Sequence, residues 1–145
     1  MRAPRCTIDT SCVIALDHLD LLPQLSLLFS RVLIPKAVPE DLFKRRSTKD
    51  RLQVLFASYA FLERCDDYDK GTVDFLLADP WGRVLAASDD LDYHGTFWVL
   101  RRFYEPGLIS APAIRSNFVA LFHRGTRLPR EIVNPFLVEI GQEPL

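Results

Sequence analysis

Asp9 is the residue whose type and position point most directly to chemistry. It follows the short mixed run Arg5, Cys6, Thr7, Ile8 and precedes Thr10, Ser11 and the largely apolar run Cys12, Val13, Ile14, Ala15, Leu16. Asp, Thr and Ser are cap-type residues, so the pattern predicts a strand that ends at Asp9 and a helix that opens just after it. In open α/β sheets, ligands bind outside the carboxyl ends of the strands. A carboxylate at that junction is placed to hold a metal ion or a phosphate-bearing substrate. Its simpler use is to cap the helix.

A second acidic locus, Glu40 and Asp41, follows the β-branched run Arg31, Val32, Leu33, Ile34, which Pro35 stops and which reads as a second buried strand. If the two strands are parallel neighbours, the acidic pair shares an edge with Asp9. Carboxylates brought together repel unless a cation lies between them. A hard cation such as Mg2+ takes one or two carboxylates together with waters and phosphate oxygens. The alternative use of the pair is in a first helical turn, where acids are favoured by the helix dipole. Lys44, Arg45, Arg46, Lys49 and Arg51 form the densest basic stretch and follow this edge, so they are candidates for contacts to nucleic-acid phosphates. A solvated helix face is the other reading. His18, His94 and His123 share no ligand spacing, and Cys6, Cys12 and Cys65 contain no C-x-x-C pair. Zinc and a disulfide framework therefore have no signal here.

The elements that must position these residues alternate. After the strand before Asp9, helical spacing continues through Leu19, Leu21, Leu22, Leu25, Leu28 and Phe29. A helix is expected over 37–45, with Pro39 in its first turn. Thr48 is a candidate cap for a helix carrying Leu52, Val54, Leu55 and Tyr59, and 60–63 is a weak strand candidate. Val73, Phe75, Leu76 and Leu77 suggest a short helix, and Asp79, Pro80, Trp81, Gly82 a turn. The run 83–87 reads equally as helix or strand. Gly95 and Thr96 precede an amphipathic helix closed by Pro106 and Gly107. A helix over 110–123 ends at Gly125. A last helical region from Leu128 is expected to be split by Pro135, with Asn134 capping its second piece. Strands alternating with helices imply an α/β fold with a short, mostly parallel sheet flanked by helices.

The chain has 145 residues, enough for one domain that buries roughly 68–70% of its unfolded surface. With 48% hydrophobic and 26% charged residues, it falls outside the disordered and collagenous classes. Eighteen Lys and Arg against nineteen Asp and Glu give a formal net charge of −1, so nucleic acid would have to be held by a local basic patch. Asp9, Asp17 and Asp20 interrupt every apolar stretch near the start. Neither a signal peptide nor a membrane span is expected, and the cytoplasm is the expected location.

The order of motifs resembles the PIN-domain family, the nuclease fold of VapC-type toxins, over most of the chain. Ile8, Asp9, Thr10, Ser11 followed by Val13, Ile14, Ala15, Leu16 is similar to the family's opening. The stretch from Val32 to Leu42 resembles its block VLIP-x-x-V-x-x-E-L, and the carry-over of the metal-site acid falls on Asp41, with Glu40 beside it. Asp79, Pro80, Trp81, Gly82, Arg83 resembles D-x-x-G-R, whose Asp is another metal-site acid. Gly95 and Thr96, then Gly107, Leu108, Ile109, resemble GT-x-x-x-L … GLI. The resemblance implies a single PIN-like domain over 1–145 that uses Asp9, Asp41 and Asp79 as catalytic metal-site residues for Mg2+ or Mn2+. Beside it, the basic stretch itself offers Lys44, Arg45, Arg46 and Lys49 as nucleic-acid contacts, and Arg83, close to Asp79, is a further candidate whose other use is a structural ion pair.

The middle of the chain departs from the family pattern. The G-E-x-E-A-I helix and the buried strand after it are not found, and Phe75, Leu76, Leu77, Ala78 run straight into Asp79. Read as a deletion, this leaves a central strand missing or replaced and requires the strand near Tyr93 and His94 to pair with the Asp9 strand directly. A second register sets Thr72 where the family's Glu belongs, with Asp74 as substitute and a central strand over 83–87 ending at Asp89 and Asp90. Glu40, Asp74, Asp89 and Asp90 are therefore alternate ligands. The implied function is a metal-dependent endoribonuclease, as the toxin of a toxin–antitoxin pair. RNA is the substrate, and an antitoxin protein and a second copy of the chain are the candidate partners. The alternative is a catalytically impaired PIN-like remnant that serves as a binding or dimerisation module. A haloacid-dehalogenase-like phosphatase wants a second acid two residues after Asp9, where Ser11 stands.

Overall fold

Residues 3–35, 39, 46–65, 74–76, 93–126 and 128–145 are described by a computed structural model. β1 (Ala3–Ile8) runs into α1 (Thr10–His18) through Asp9, which caps the helix. The helical run expected through Phe29 instead stops at His18; a 3-10 turn (Pro23–Leu27), opened by Pro23, leads to β2 (Phe29–Pro35), in which Phe29 is the first residue. Then follow α2 (Arg46–Ser58), β3 (Leu62–Cys65), β4 (Asp74–Leu76) and β5 (Tyr93–His94). Three helices close the chain: α3 (Thr96–Tyr104), α4 (Ala111–His123) and α5 (Arg130–Glu139).

Among the described residues the strands form one sheet in the order β3-β2-β1-β4-β5, with every pairing parallel. Parallel strands are buried on both faces and read as continuous apolar runs. β1 and β2 satisfy this: Cys6, Thr7, Ile8, Val32 and Ile34 are all fully buried. The register aligns Ile8 with Leu76 and Leu76 with His94, so the carboxyl ends of β1, β4 and β5 are level. Strand order runs outward one way through β1, β2 and β3 and the other way through β4 and β5. The reversal falls between β1 and β4.

Several sequence expectations are corrected. In place of the short helix expected around Phe75 and Leu76, Asp74–Leu76 is a strand, held by pairing to β1 on one side and β5 on the other. Three residues carry no readable period, so tertiary pairing decides their state. Tyr93 and His94 consequently pair with β4 and not with β1, and the central position of the sheet is filled. The α2 helix starts at Arg46, ahead of the expected Thr48 cap. Its buried stripe is Leu52 and Phe56, while Val54 is 66% exposed. β3 lies two residues later than the candidate over 60–63. The expected helix over 37–45 (apart from Pro39), the turn at Asp79–Gly82 and the run 83–87 lie outside the described residues.

The core has two parts. One joins the sheet to α1, α2 and α3 through Ile8, Leu16, Phe29, Leu52 and Phe103. The other joins α1 and α3 to α4 and α5 through Ala15, Leu100, Ile114, Phe118, Phe136 and Leu137. Apolar residues of the last two helices divide accordingly. Phe118, Leu121, Phe136 and Leu137 are buried, whereas Phe122 and Ile132 stand exposed.

Helix ends follow local chemistry. The Ser110 hydroxyl accepts from the Ala113 N–H at 3.3 Å. At the other end of α4, Thr126 N–H donates to Leu121 O and Gly125 N–H to Phe122 O, with Gly125 at φ +79°. This double bond pattern needs a left-handed residue, which glycine supplies without a Cβ clash. Pro135 does not split α5; the helix is continuous from Arg130 to Glu139. Asn134 is not a cap either: its Oδ1 accepts from Leu145 N–H at 2.8 Å, and Arg115 donates to the carbonyls of Glu143 and Pro144, pinning the end of the chain against α4 and α5. Pro135 is exposed and lacks an N–H for the helical ladder. Replacing it with Ala is expected to stabilise the fold by up to about 3 kcal/mol, read as a higher urea midpoint. A lower midpoint would mean that Pro135 itself is needed to seat Phe136 and Leu137.

Candidate functional site

The site is built at the carboxyl edge of the sheet, where β1 hands over to α1. Asp9 has extended backbone (φ −95°, ψ 170°), and its Oδ1 accepts from the Cys12 N–H at 2.8 Å. It is 6% exposed. Burying a carboxylate is costly unless it is hydrogen-bonded or paired. Here a charge-assisted bond and the positive end of the helix dipole offset that cost. A carboxylate offers about four lone-pair sites on two oxygens, so capping by one oxygen is compatible with binding a cation.

Asp17 is also buried, but it lies eight residues further along α1, about 12 Å from Asp9 at helical rise. It belongs to the other end of the helix. Asp74 sits in β4 opposite Cys6, three positions short of the level of Asp9, which is about 10 Å along the strand. The structure therefore does not bring Asp74 to the edge. Glu40, Asp41, Asp79, Asp89, Asp90, Lys44, Arg45, Trp81 and Arg83 lie outside the described residues. Among the described residues there is no group of three His, Cys, Asp or Glu that could hold a metal ion.

Arg46 and Lys49 fall in the first turn of α2. α2 returns the chain from the carboxyl end of β2 to the amino end of β3, its parallel neighbour. That return sets the first turn of α2 toward the same edge as Asp9.

The edge holds a feature to which the sequence reading assigned no role. Gly95 and Thr96 open α3 directly after β5, level with Asp9. The signal was present in the sequence as a Gly-Thr pair ahead of an amphipathic run, but nothing in the pair itself names a ligand.

No family model, curated protein or solved structure matches this chain. Among the described residues no helix is long and apolar enough to cross a membrane.

Proposed function

We propose that this chain is a metal-dependent endoribonuclease of PIN type, acting as the toxin of a toxin–antitoxin pair in the cytoplasm. The observation that carries the reading is the position of Asp9: a buried carboxylate at the carboxyl end of β1, beside the point where strand order reverses. Open parallel sheets bind ligands at that point, because the connections leave it in opposite directions and open a crevice. The motif order from Asp9 through Asp41 and Asp79 to Gly95 and Thr96 supports the same reading.

Asp9, Asp41 and Asp79 would hold Mg2+ or Mn2+, since hard cations prefer carboxylate oxygens. Bound there, the ion would supply Lewis-acid stabilisation of phosphate charge and a more acidic water. The protein's own part is preorganisation. The Cys12 N–H fixes the Asp9 carboxylate, and the rigid β1–α1 junction holds it against the sheet edge. Arg46 and Lys49, with Lys44, Arg45 and Arg83, would neutralise RNA phosphates.

The test is an RNA cleavage assay with Mn2+ or Mg2+, with and without chelator, alongside calorimetry of metal uptake. Cleavage that requires the metal is expected. Metal uptake without cleavage would replace the proposal with a binding module whose catalytic site is impaired, and absence of both would overturn it.

A further inference from the structure

We infer that the N-terminus of α3, with the Thr96 hydroxyl, is a binding subsite for a phosphate group. Thr96 is 4% exposed, and its Oγ1 has no hydrogen-bond partner among the described residues. A buried polar atom left unpaired is costly, and in native proteins such atoms are rare and call for a partner. Threonine in a helix can turn its hydroxyl back to a preceding carbonyl, and here it does not.

Its surroundings identify the partner's charge. Thr96 is the first helical residue of a nine-residue helix, so its hydroxyl belongs to the turn that carries the N–H groups left without helical acceptors. The first helical bond runs from Val99 N–H to Gly95 O at 3.3 Å. Gly95 is extended (φ −96°, ψ −175°) and makes no side-chain cap, and the first turn holds no acidic residue. An O–H donor at the positive end of a helix dipole, in a turn whose first N–H groups have no acceptor within the helix, suits an anion rich in oxygen acceptors.

Which phosphate it takes rests on the nuclease reading. Gly95 follows His94, level with Leu76 and Ile8, so this turn and Asp9 stand two strands apart on one edge, about 10 Å at the usual strand spacing. α1 and α3 pack against each other and fix that separation. A phosphodiester at Asp9 would then extend toward Thr96, which takes a flanking phosphate of the same strand.

The probe is inorganic phosphate, titrated into the 15N-labelled full chain at millimolar concentrations without metal. Saturable shifts of the Gly95, Thr96 and Phe97 amides are expected. They should persist in Thr96→Ser and in Asp9→Asn, and weaken about tenfold or more in Thr96→Val, which loses a hydrogen bond to a charged group. Absence of saturable shifts in the parent chain overturns the subsite without recourse to any variant. Equal affinity in Thr96→Val also overturns it and leaves the hydroxyl to an internal water. Because the titration contains no metal and no RNA, failure of the nuclease reading would appear separately, in the cleavage assay.

Discussion

Asp9→Asn is expected to lower the proposed metal-dependent RNA cleavage by about a hundredfold or more while leaving the fold intact. Asn is as good an N-cap as Asp, so the Cys12 N–H, now 2.8 Å from Oδ1, keeps its acceptor. The side chain's shape is unchanged, and only the negative charge is removed. Thermal unfolding should therefore shift by no more than a few degrees. Catalysis should not survive, because a metal's stabilisation of phosphate charge is worth several kcal/mol and each 1.36 kcal/mol, roughly, is tenfold in rate. Asp9→Ala separates the two roles from the other side. It loses the cap as well, at a cost of about 0.5–2 kcal/mol in stability. If Asp9→Asn cleaves RNA at the parental rate, Asp9 is a cap and nothing more.

Phe118→Ala is expected to be the most destabilising of the substitutions considered. Phe118 is fully buried in the part of the core that joins α4 to α3 and α5, with its ring centroid 5.8 Å from Phe97 and 6.4 Å from Phe136. Truncating a buried Phe costs about 3–5 kcal/mol, because the cavity it leaves closes only in part. Each aromatic pair lost adds about 0.5–1.5 kcal/mol. Against a total stability of roughly 5–15 kcal/mol this is a large fraction. The thermal midpoint should fall by roughly 6–20 °C for a chain of this size, read by circular dichroism. Phe122→Ala, four residues on, is the control. Phe122 is 40% exposed and carries the Arg130 guanidinium 4.3 Å above its ring, so its loss should cost only about 1 kcal/mol. Equal effects at the two positions would show that α4 does not pack through Phe118.

Expectations that rested on a local rule held where the rule had no competitor. Asp9 reads as a cap, and it is one. Ser110 and Gly125 bracket α4 because a hydroxyl and a left-handed glycine satisfy the helix ends without help from elsewhere in the chain. Pro135 shows the opposite case. A proline should interrupt a helix, yet α5 runs through it, with Phe136 and Leu137 buried next to it in the core. Val54 looked like part of an apolar stripe, but the helical period of α2 turns it outward while Leu52 and Phe56 go in.

The amino-acid sequence by itself determined the strand-to-helix junction at Asp9, the second buried strand, the alternation that makes this an α/β chain, and the limits of the C-terminal helices, α5 apart. Each follows from caps, periodicity and turn residues within a few positions. Only the tertiary structure decided that Asp74–Leu76 is a strand between β1 and β5, and hence that the sheet reverses its order beside Asp9 and that α3 opens on the same edge. Three residues have too few local interactions to fix their own conformation; hydrogen bonds to two neighbouring strands, distant in sequence, do it for them.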